Sequence, residues 1–480
     1  MQFNKILLLN PPYSGARVNA VFCAGLGYIA QALKTNAIEY DILDMSLGYG
    51  YPALKDKIKR FTPDLIGISL MTYGYKESYA LIGRIKRDFP DVRIVAGGAH
   101  ISLFREKALR DCAGLDFGVV LEGERTIIEL CRGQDPKSIK GLIFRDEEKN
   151  AVYNGGRGFI EDLDAIPFPL YERFELDKVF DKNVNALPIV SSRGCPFDCV
   201  YCPVKYAIGE KFRARSAENV IEELAYWHAK GYCRFSFADD NFTLVKDRVE
   251  KICHELIKGK MHGLKLSCDN GVRADRVDKE LLTLMKQAGF YRIAFGVEAG
   301  NDKVLKALKK RESIAVLKER IQQACALGYD VDLFFLVGSP GETEQDLRDS
   351  FDIALKYPIG TAYFYNIIPF PNTELFGWIK EHGRFLIEPA EYLDRYPILD
   401  NEPVFETDEM PYAARKKALS RAFKIMQMTM RRSWAKRLAR WGVLGKVLAA
   451  IYTSTFMQDV ILRNRFTRKM VYNLARACFS

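Results

Sequence analysis

The chain is 480 residues long, 48% hydrophobic and 28% charged, with eleven cysteines and a formal net charge of +10. That length suits two to four domains, each able to bury its own core, and the composition excludes a disordered chain or a small disulfide scaffold. No apolar run reaches the ~18 residues of a membrane span, and Ile6–Leu9 is too short for a secretory leader, so a cytoplasmic protein is expected.

In chain order, short apolar or β-branched runs at Lys5–Leu9, Tyr40–Leu43, Leu65–Leu70, Arg93–Ala96 and Phe117–Leu121 predict strands, separated by helical patterns such as Gly27–Leu33 and Tyr75–Phe89. This alternation predicts an α/β unit over residues 1–135, a Rossmann-like doubly wound parallel sheet. Ligands bind such sheets at the strand ends, here Asn10-Pro11-Pro12, Ser69 to Thr72, Gly97-Gly98-Ala99-His100 and Glu122-Gly123-Glu124. The glycines there let a large flat ligand approach the backbone. No G-x-G-x-x-G follows the first strand, which disfavours a dinucleotide. Gly141–Tyr153 reads as a hairpin, and the Gly-rich 154–158 and Pro-rich 166–169 stretches as a linker, so residues 136–180 are expected to join two domains.

A second alternating series occupies residues 181–395. Leu187–Ser192, Arg234–Ala238, Lys265–Cys268, Arg292–Val297, Val331–Val337 and Ala362–Ile368 predict six strands of a partial (β/α)6 barrel. Functional side chains gather at the carboxyl ends of barrel strands. After the first of them comes Cys195-Pro-Phe-Asp-Cys199-Val-Tyr201-Cys202. Three thiolates on one short loop hold three irons of a cubane cluster and leave the fourth without a protein ligand. A structural zinc site wants a fourth ligand at short spacing, yet His228 and Cys233 lie more than 25 residues away. The other cysteines (23, 112, 131, 233, 253, 268, 325 and 478) are scattered and read as buried thiols.

Cys-x3-Cys-x2-Cys with Tyr201 before its last thiol resembles the radical S-adenosylmethionine (SAM) enzymes. The resemblance continues through Phe237-Ala-Asp239-Asp240-Asn-Phe242, Arg273-Ala-Asp275, Phe295-Gly-Val-Glu298-Ala-Gly300, Leu336-Val-Gly338-Ser-Pro-Gly341-Glu342 and Pro369-Phe-Pro371-Asn-Thr373. Five segments in order are far more specific than any one. The resemblance implies a [4Fe-4S] cluster on Cys195, Cys199 and Cys202. It implies SAM held by Tyr201, Asp239 or Asp240, Arg273, Glu298 and Gly338, and cleaved by one electron to a 5′-deoxyadenosyl radical. Taken as structure alone, the two aspartates would make a strand-end turn or helix cap, and Glu298 a buried salt bridge to Arg273. An external one-electron donor of flavodoxin or ferredoxin type is implied as a partner.

The first domain is similar to the cobalamin-binding domain fused to many radical SAM enzymes, on Asn10-Pro11-Pro12, Gly25 to Ala30, Gly97 to His100, Leu121 to Glu124 and the linker 163–169. That likeness implies cobalamin against Pro11, Ser69, Thr72, Gly97, Gly98, His100 and Glu122. There is no Asp-x-His-x-x-Gly, so no histidine is expected to ligate cobalt; His100 is expected to line the nucleotide-tail pocket or cap a turn. The function implied is methylation of an unactivated carbon in a small-molecule or lipid-type substrate whose identity the sequence leaves open. The alternatives are a cobalamin-dependent radical ring rearrangement or cyclisation, and a tRNA methylthiotransferase. The last needs three further cysteines for a second cluster, for which Cys23, Cys112 and Cys131 are present.

Residues 396–480 form a basic, helical C-terminal region. Between 411 and 480 there are 16 Lys or Arg and one acid, Asp459, so the first 410 residues are net acidic. Leu419, Phe423, Met426, Met430, Trp434 and Leu438 recur at helical spacing and predict an amphipathic helix. The cations suit a phosphorylated substrate, a peripheral membrane contact or a solvated cap on the barrel, in preference to nucleic acid. Trp441–Leu462 is apolar enough to dock on the barrel or lie on a membrane.

Overall fold

Short runs rich in Leu, Ile and Val make β1 (Lys5–Asn10), β3 (Leu65–Ser69) and β4 (Arg93–Gly97), while the edge strand β2 (Glu39–Asp44) alternates apolar and acidic residues and β5 (Phe117–Val119) is Phe-Gly-Val. The structure, a computed structural model, describes residues 2–12, 22–179, 186–259, 261–395, 398, 402–454 and 457. These strands are parallel in the order β2-β1-β3-β4-β5, with a core of side chains on each face. Burial on both faces is why β1, β3 and β4 read as nearly continuous apolar runs, and the edge position of β2 is why it alternates. The order reverses direction between β1 and β3, the switch point at which open α/β sheets bind ligands.

The hairpin continues this sheet. β6 (Leu142–Arg145) pairs antiparallel with β5, and β7 (Ala151–Tyr153) with β6. It covers the β5 edge, which would otherwise present unpaired backbone groups. The unit built on the first sheet therefore reaches Tyr153, past the boundary expected near residue 135.

The second sheet opens with β8 (Leu187–Ile189). The chain then leaves it for a two-stranded ribbon, β9 (Ser192–Arg193) against β10 (Arg213–Ala214). β11 (Arg234–Phe237), β12 (Lys265–Val272), β13 (Phe290–Glu298), β14 (Asp330–Val337) and β15 (Thr361–Asn366) follow in parallel. The six strands lie in the sequential order β8-β11-β12-β13-β14-β15, as a partial barrel requires. Ile293, Phe295 and Val297 point into the core, while Ala294 and Gly296 alternate onto the opposite face.

The helix Tyr412–Arg437 runs antiparallel to β14. Arg415 donates to the Val337 and Gly338 carbonyls at the end of that strand, and Arg437 pairs with Asp330 at its start. Its buried stripe is Arg415, Ala418, Leu419, Ala422, Ile425, Met426 and Thr429. The expected stripe through Phe423, Met430 and Trp434 is thus rotated, because small side chains let the helix lie close to β15. A second helix, Gly442–Tyr452, folds back on its end. Residues 458–462 of the expected apolar segment lie outside the described residues. Among those described, no helix is long and apolar enough to cross a membrane.

Candidate active site between the two sheets

The cysteine loop is pinned from three directions. Gly194 takes a φ of +84°, and a side chain there would collide with the Lys211 carbonyl, so only glycine lets the loop leave the ribbon. The Cys195 amide bonds Gly209, and the Val200 amide bonds Leu308 at 3.1 Å. The Arg273 guanidinium lies 3.7 Å from the centre of the Phe197 ring, and Arg311 pairs with Asp198 at 2.8 Å. All three thiols are free. Burial pushes each up, Cys202 to about 12, with negative charge at the neighbouring cysteines and Asp240 adding. Lys310 and Arg273 act in the opposite sense on Cys199. Among the described residues no three His, Cys, Asp or Glu side chains converge on a single-ion site. Three soft donors on one loop, with two cations facing them, fit an anionic iron–sulfur cluster that takes one thiolate at each of three corners.

The two aspartates after β11 part company. Asp239 is buried and accepts hydrogen bonds from the Ser191 amide and from the hydroxyls of Ser191 and Ser192, tying β11 to the start of the cysteine segment. Both its oxygens are occupied by the chain itself, against the expectation that it holds SAM. Asp240 instead lines a cavity and stays open to solvent; partial desolvation beside the apolar walls pushes its carboxyl up to about 6, the Asp239 charge adding.

Glu298 ends β13 with a φ of +63°, left-handed backbone that a non-glycine residue rarely adopts. Its partner is Lys310, at 3.0 Å, and not Arg273. Lys310 also faces Glu312 at 3.5 Å, and the Tyr201 hydroxyl lies near Glu298, whose charge adds to burial in raising it. Burial alone would lower the lysine, but the two glutamates more than offset that and hold it charged. A side chain at Gly296 would strike both Glu298 and Lys310, so glycine there clears room for the pair. Arg273 is spent on Asp275, on the Lys310 and Arg311 carbonyls and on Phe197, and so props the cysteine loop. Gly338, at φ +93°, packs directly under the Arg415 guanidinium. Glu342 accepts from the Gly338 and Ser339 amides and closes that turn.

Between the carboxyl ends of the two sheets lies a cavity of about 340 Å³. Ser69, Gly97, Gly98 and Glu122 line it, as do Val190, Ser192, Arg193, Ala238 and Asp240 from across the gap. Its walls are apolar, and where a Gly25 side chain would sit there is no atom within 4 Å. The floor of small residues at the β1/β3 switch point fits one face of a macrocycle; the enclosed volume is smaller than a whole cobalamin. Pro11 and Thr72 are buried outside its lining. His100 lies inside the helix Ala99–Phe104, stacked on Tyr75 at 4.7 Å with Nε2 bonded to the Tyr79 hydroxyl at 2.8 Å. Burial lowers it to about 3, so it stays neutral. It therefore lies outside the lining of this cavity, held by aromatic neighbours within its own helix and the helix Tyr75–Asp88. Glu122 lines the cavity but spends its oxygens on Arg193, Arg213 and the Ile160 amide. With Glu124 on Arg193 at 2.6 Å, it clamps the first sheet to the ribbon carrying the cysteine loop.

Cys112 and Cys131 sit in the cores on opposite sides of the first sheet, and Cys23 contacts Ser69 at 3.2 Å. They do not converge, so the second cluster of a methylthiotransferase has no site among the described residues. Sequence reasoning missed Lys310, Glu312, Arg193, Arg213 and Arg415. The run Lys309-Lys310-Arg311 was the available signal, since three adjacent cations in a connection between two predicted strands need acidic partners.

Residues 189–354 match the radical SAM superfamily and residues 18–131 the B12-binding domain. An uncharacterised methyltransferase of Pyrococcus horikoshii is 30% identical over 385 residues, covering 78% of this chain and 83% of that one. The cytidylyl-2-hydroxyethylphosphonate methyltransferase of Streptomyces wedmorensis is 28% identical over 457 residues, covering 82% and 84%. The anaerobic magnesium-protoporphyrin IX monomethyl ester cyclase of Rubrivivax gelatinosus is 26% identical over 395 residues, covering 78% and 69%. In fold, the chain is similar to a radical SAM methyltransferase from Kitasatospora setae solved with cobalamin and a [4Fe-4S] cluster, with a TM-score of 0.70 at 18% identity over 89% of each chain.

Proposed function

The chain belongs to the radical SAM superfamily, in the branch that carries a B12-binding domain, and from that membership we propose that it methylates an unactivated carbon of a small-molecule or lipid-type substrate. Its cofactors are a [4Fe-4S] cluster, SAM and cobalamin. The observation that carries the reading is the shared cavity: the ligand-binding ends of both sheets face one another across it, and the cysteine loop departs from its wall.

Bound together, the cluster with SAM supplies a carbon-centred radical and cobalamin a methyl carrier; positioning is left to the protein. Cys195, Cys199 and Cys202 would each hold one iron. The Asp240 carboxylate, in the cavity lining, would accept from the cationic amino group of SAM. Glu298 and Lys310 form a buried ion pair beside the cysteine loop, and Glu122 with Arg193 and Arg213 holds the two halves in register. Apolar walls keep water from the radical. An external flavodoxin- or ferredoxin-type donor supplies the electron. The basic C-terminal region makes a peripheral contact with an anionic surface.

Anaerobic incubation with methyl-labelled SAM and a deproteinised cell extract tests the reading. Label appearing in a carbon-methylated product supports it. SAM cleavage without label transfer, on a product of unchanged carbon count, overturns it in favour of rearrangement or cyclisation.

A further inference from the structure

The helix Gly442–Tyr452 is buried the wrong way round for a cap on the barrel. Its small residues, Gly445 and Ala449, face the protein, and a side chain at Gly445 would collide with the Leu438 carbonyl. Its large aliphatics face out: Val443 is 78% exposed, Leu444 57%, Val447 48% and Ile451 50%. At 100° per residue these four share one face, and the exposed Lys446 borders it. Exposed Lys436 and Arg440 lie just before the helix. From 411 to 457 the sequence holds eleven Lys or Arg and no Asp or Glu. An aliphatic stripe edged by cations is the pattern of a helix lying in a lipid headgroup layer, apolar side down.

We propose that the helix Gly442–Tyr452 docks the protein on an anionic lipid bilayer through Val443, Leu444, Val447 and Ile451, with the strand carboxyl ends facing away from the membrane. This rests on the peripheral reading above and gives it a surface and an orientation. The orientation follows from the preceding helix. Arg415 lies at the end of β14 and Arg437 at its start, so the docking helix sits at the amino ends of the barrel strands. The cysteine loop and the cavity lie at the opposite ends. An enzyme held this way opens its cavity toward the aqueous side.

The test is flotation of the full, cofactor-loaded chain with phosphatidylcholine vesicles, with and without phosphatidylglycerol. Binding to the anionic vesicles is expected, weakened roughly tenfold or more by the exposed-face triple variant Val443→Ser, Val447→Ser, Ile451→Ser. Binding that the triple variant leaves intact overturns the docking face while the peripheral reading stands, charge alone then being responsible. No binding to either vesicle overturns both. Binding that appears only when residues 458–480 are deleted means the chain's own tail covers the stripe, and a dimer abolished by the triple variant means a second copy does; either overturns the proposal. Vesicle-bound enzyme should cleave SAM at the free rate, and loss of cleavage on binding overturns the orientation.

Discussion

At the scale of residues, buried charge governs the site. Cys199→Ala removes one iron corner, and anaerobically reconstituted protein should fall from about four irons per chain toward none and lose SAM cleavage. Lys310→Met leaves Glu298 buried without its cation and Glu312 facing only Arg273, at 3.9 Å. The variant should lose roughly 3–5 kcal/mol in denaturant unfolding, because removing one partner of a buried ion pair strands the other. Burial raises the Glu342 carboxyl from 4.5 to about 7. The folded state thus holds this proton more tightly than the unfolded chain. Its contribution to stability is full below pH 4.5 and is lost as pH rises through about 7. Glu342→Gln, which still accepts from both turn amides, should flatten that part of the fall in a thermal midpoint measured against pH. The run Lys309-Lys310-Arg311 signalled cations in need of acids but not which acids they meet. Glu298 meets Lys310 only because two left-handed turns, at Glu298 and Lys309, bring their ends together.

At the scale of elements, legibility followed burial. Strands covered on both faces are unbroken apolar runs, and all eleven predicted strands appear with only small shifts at their ends. The cysteine loop was legible because its chemistry is confined to eight consecutive residues. The helix Tyr51–Phe61 went unread: its few buried positions, Leu54 and Ile58, lie among lysines and arginines. The hairpin was recognised but not its place, because pairing to β5 depends on backbone groups that any sequence supplies. The cavity floor was legible as glycine at strand ends, and it offers a direct test. Gly25 starts the helix Ala24–Thr35 and has empty space where a side chain would go. Gly25→Leu should therefore fold normally by circular dichroism, yet purify with its corrin absorption bands reduced several-fold.

At the scale of the whole molecule, the C-terminal region proved least legible. Its cations were expected to meet a phosphorylated substrate, a membrane surface or solvent, yet Arg415 is among the largest fully buried side chains, stacked 3.8 Å from the Phe405 ring and braced against the Gly338 turn. One long helix thereby joins the turn at the barrel mouth to the foot of the molecule. The ribbon makes a tighter link. Arg193, which clamps the first domain through Glu122 and Glu124, is separated from Cys195 only by Gly194. That adjacency bears on how the protein matures in the cell. Corrinoid filling the gap would steady the clamp, and the clamp fixes the backbone from which the first iron ligand hangs. The two cofactors should not be acquired independently. Protein produced in a host starved of corrinoid should arrive deficient in iron as well, and feeding the vitamin alone, with iron supply unchanged, should restore both.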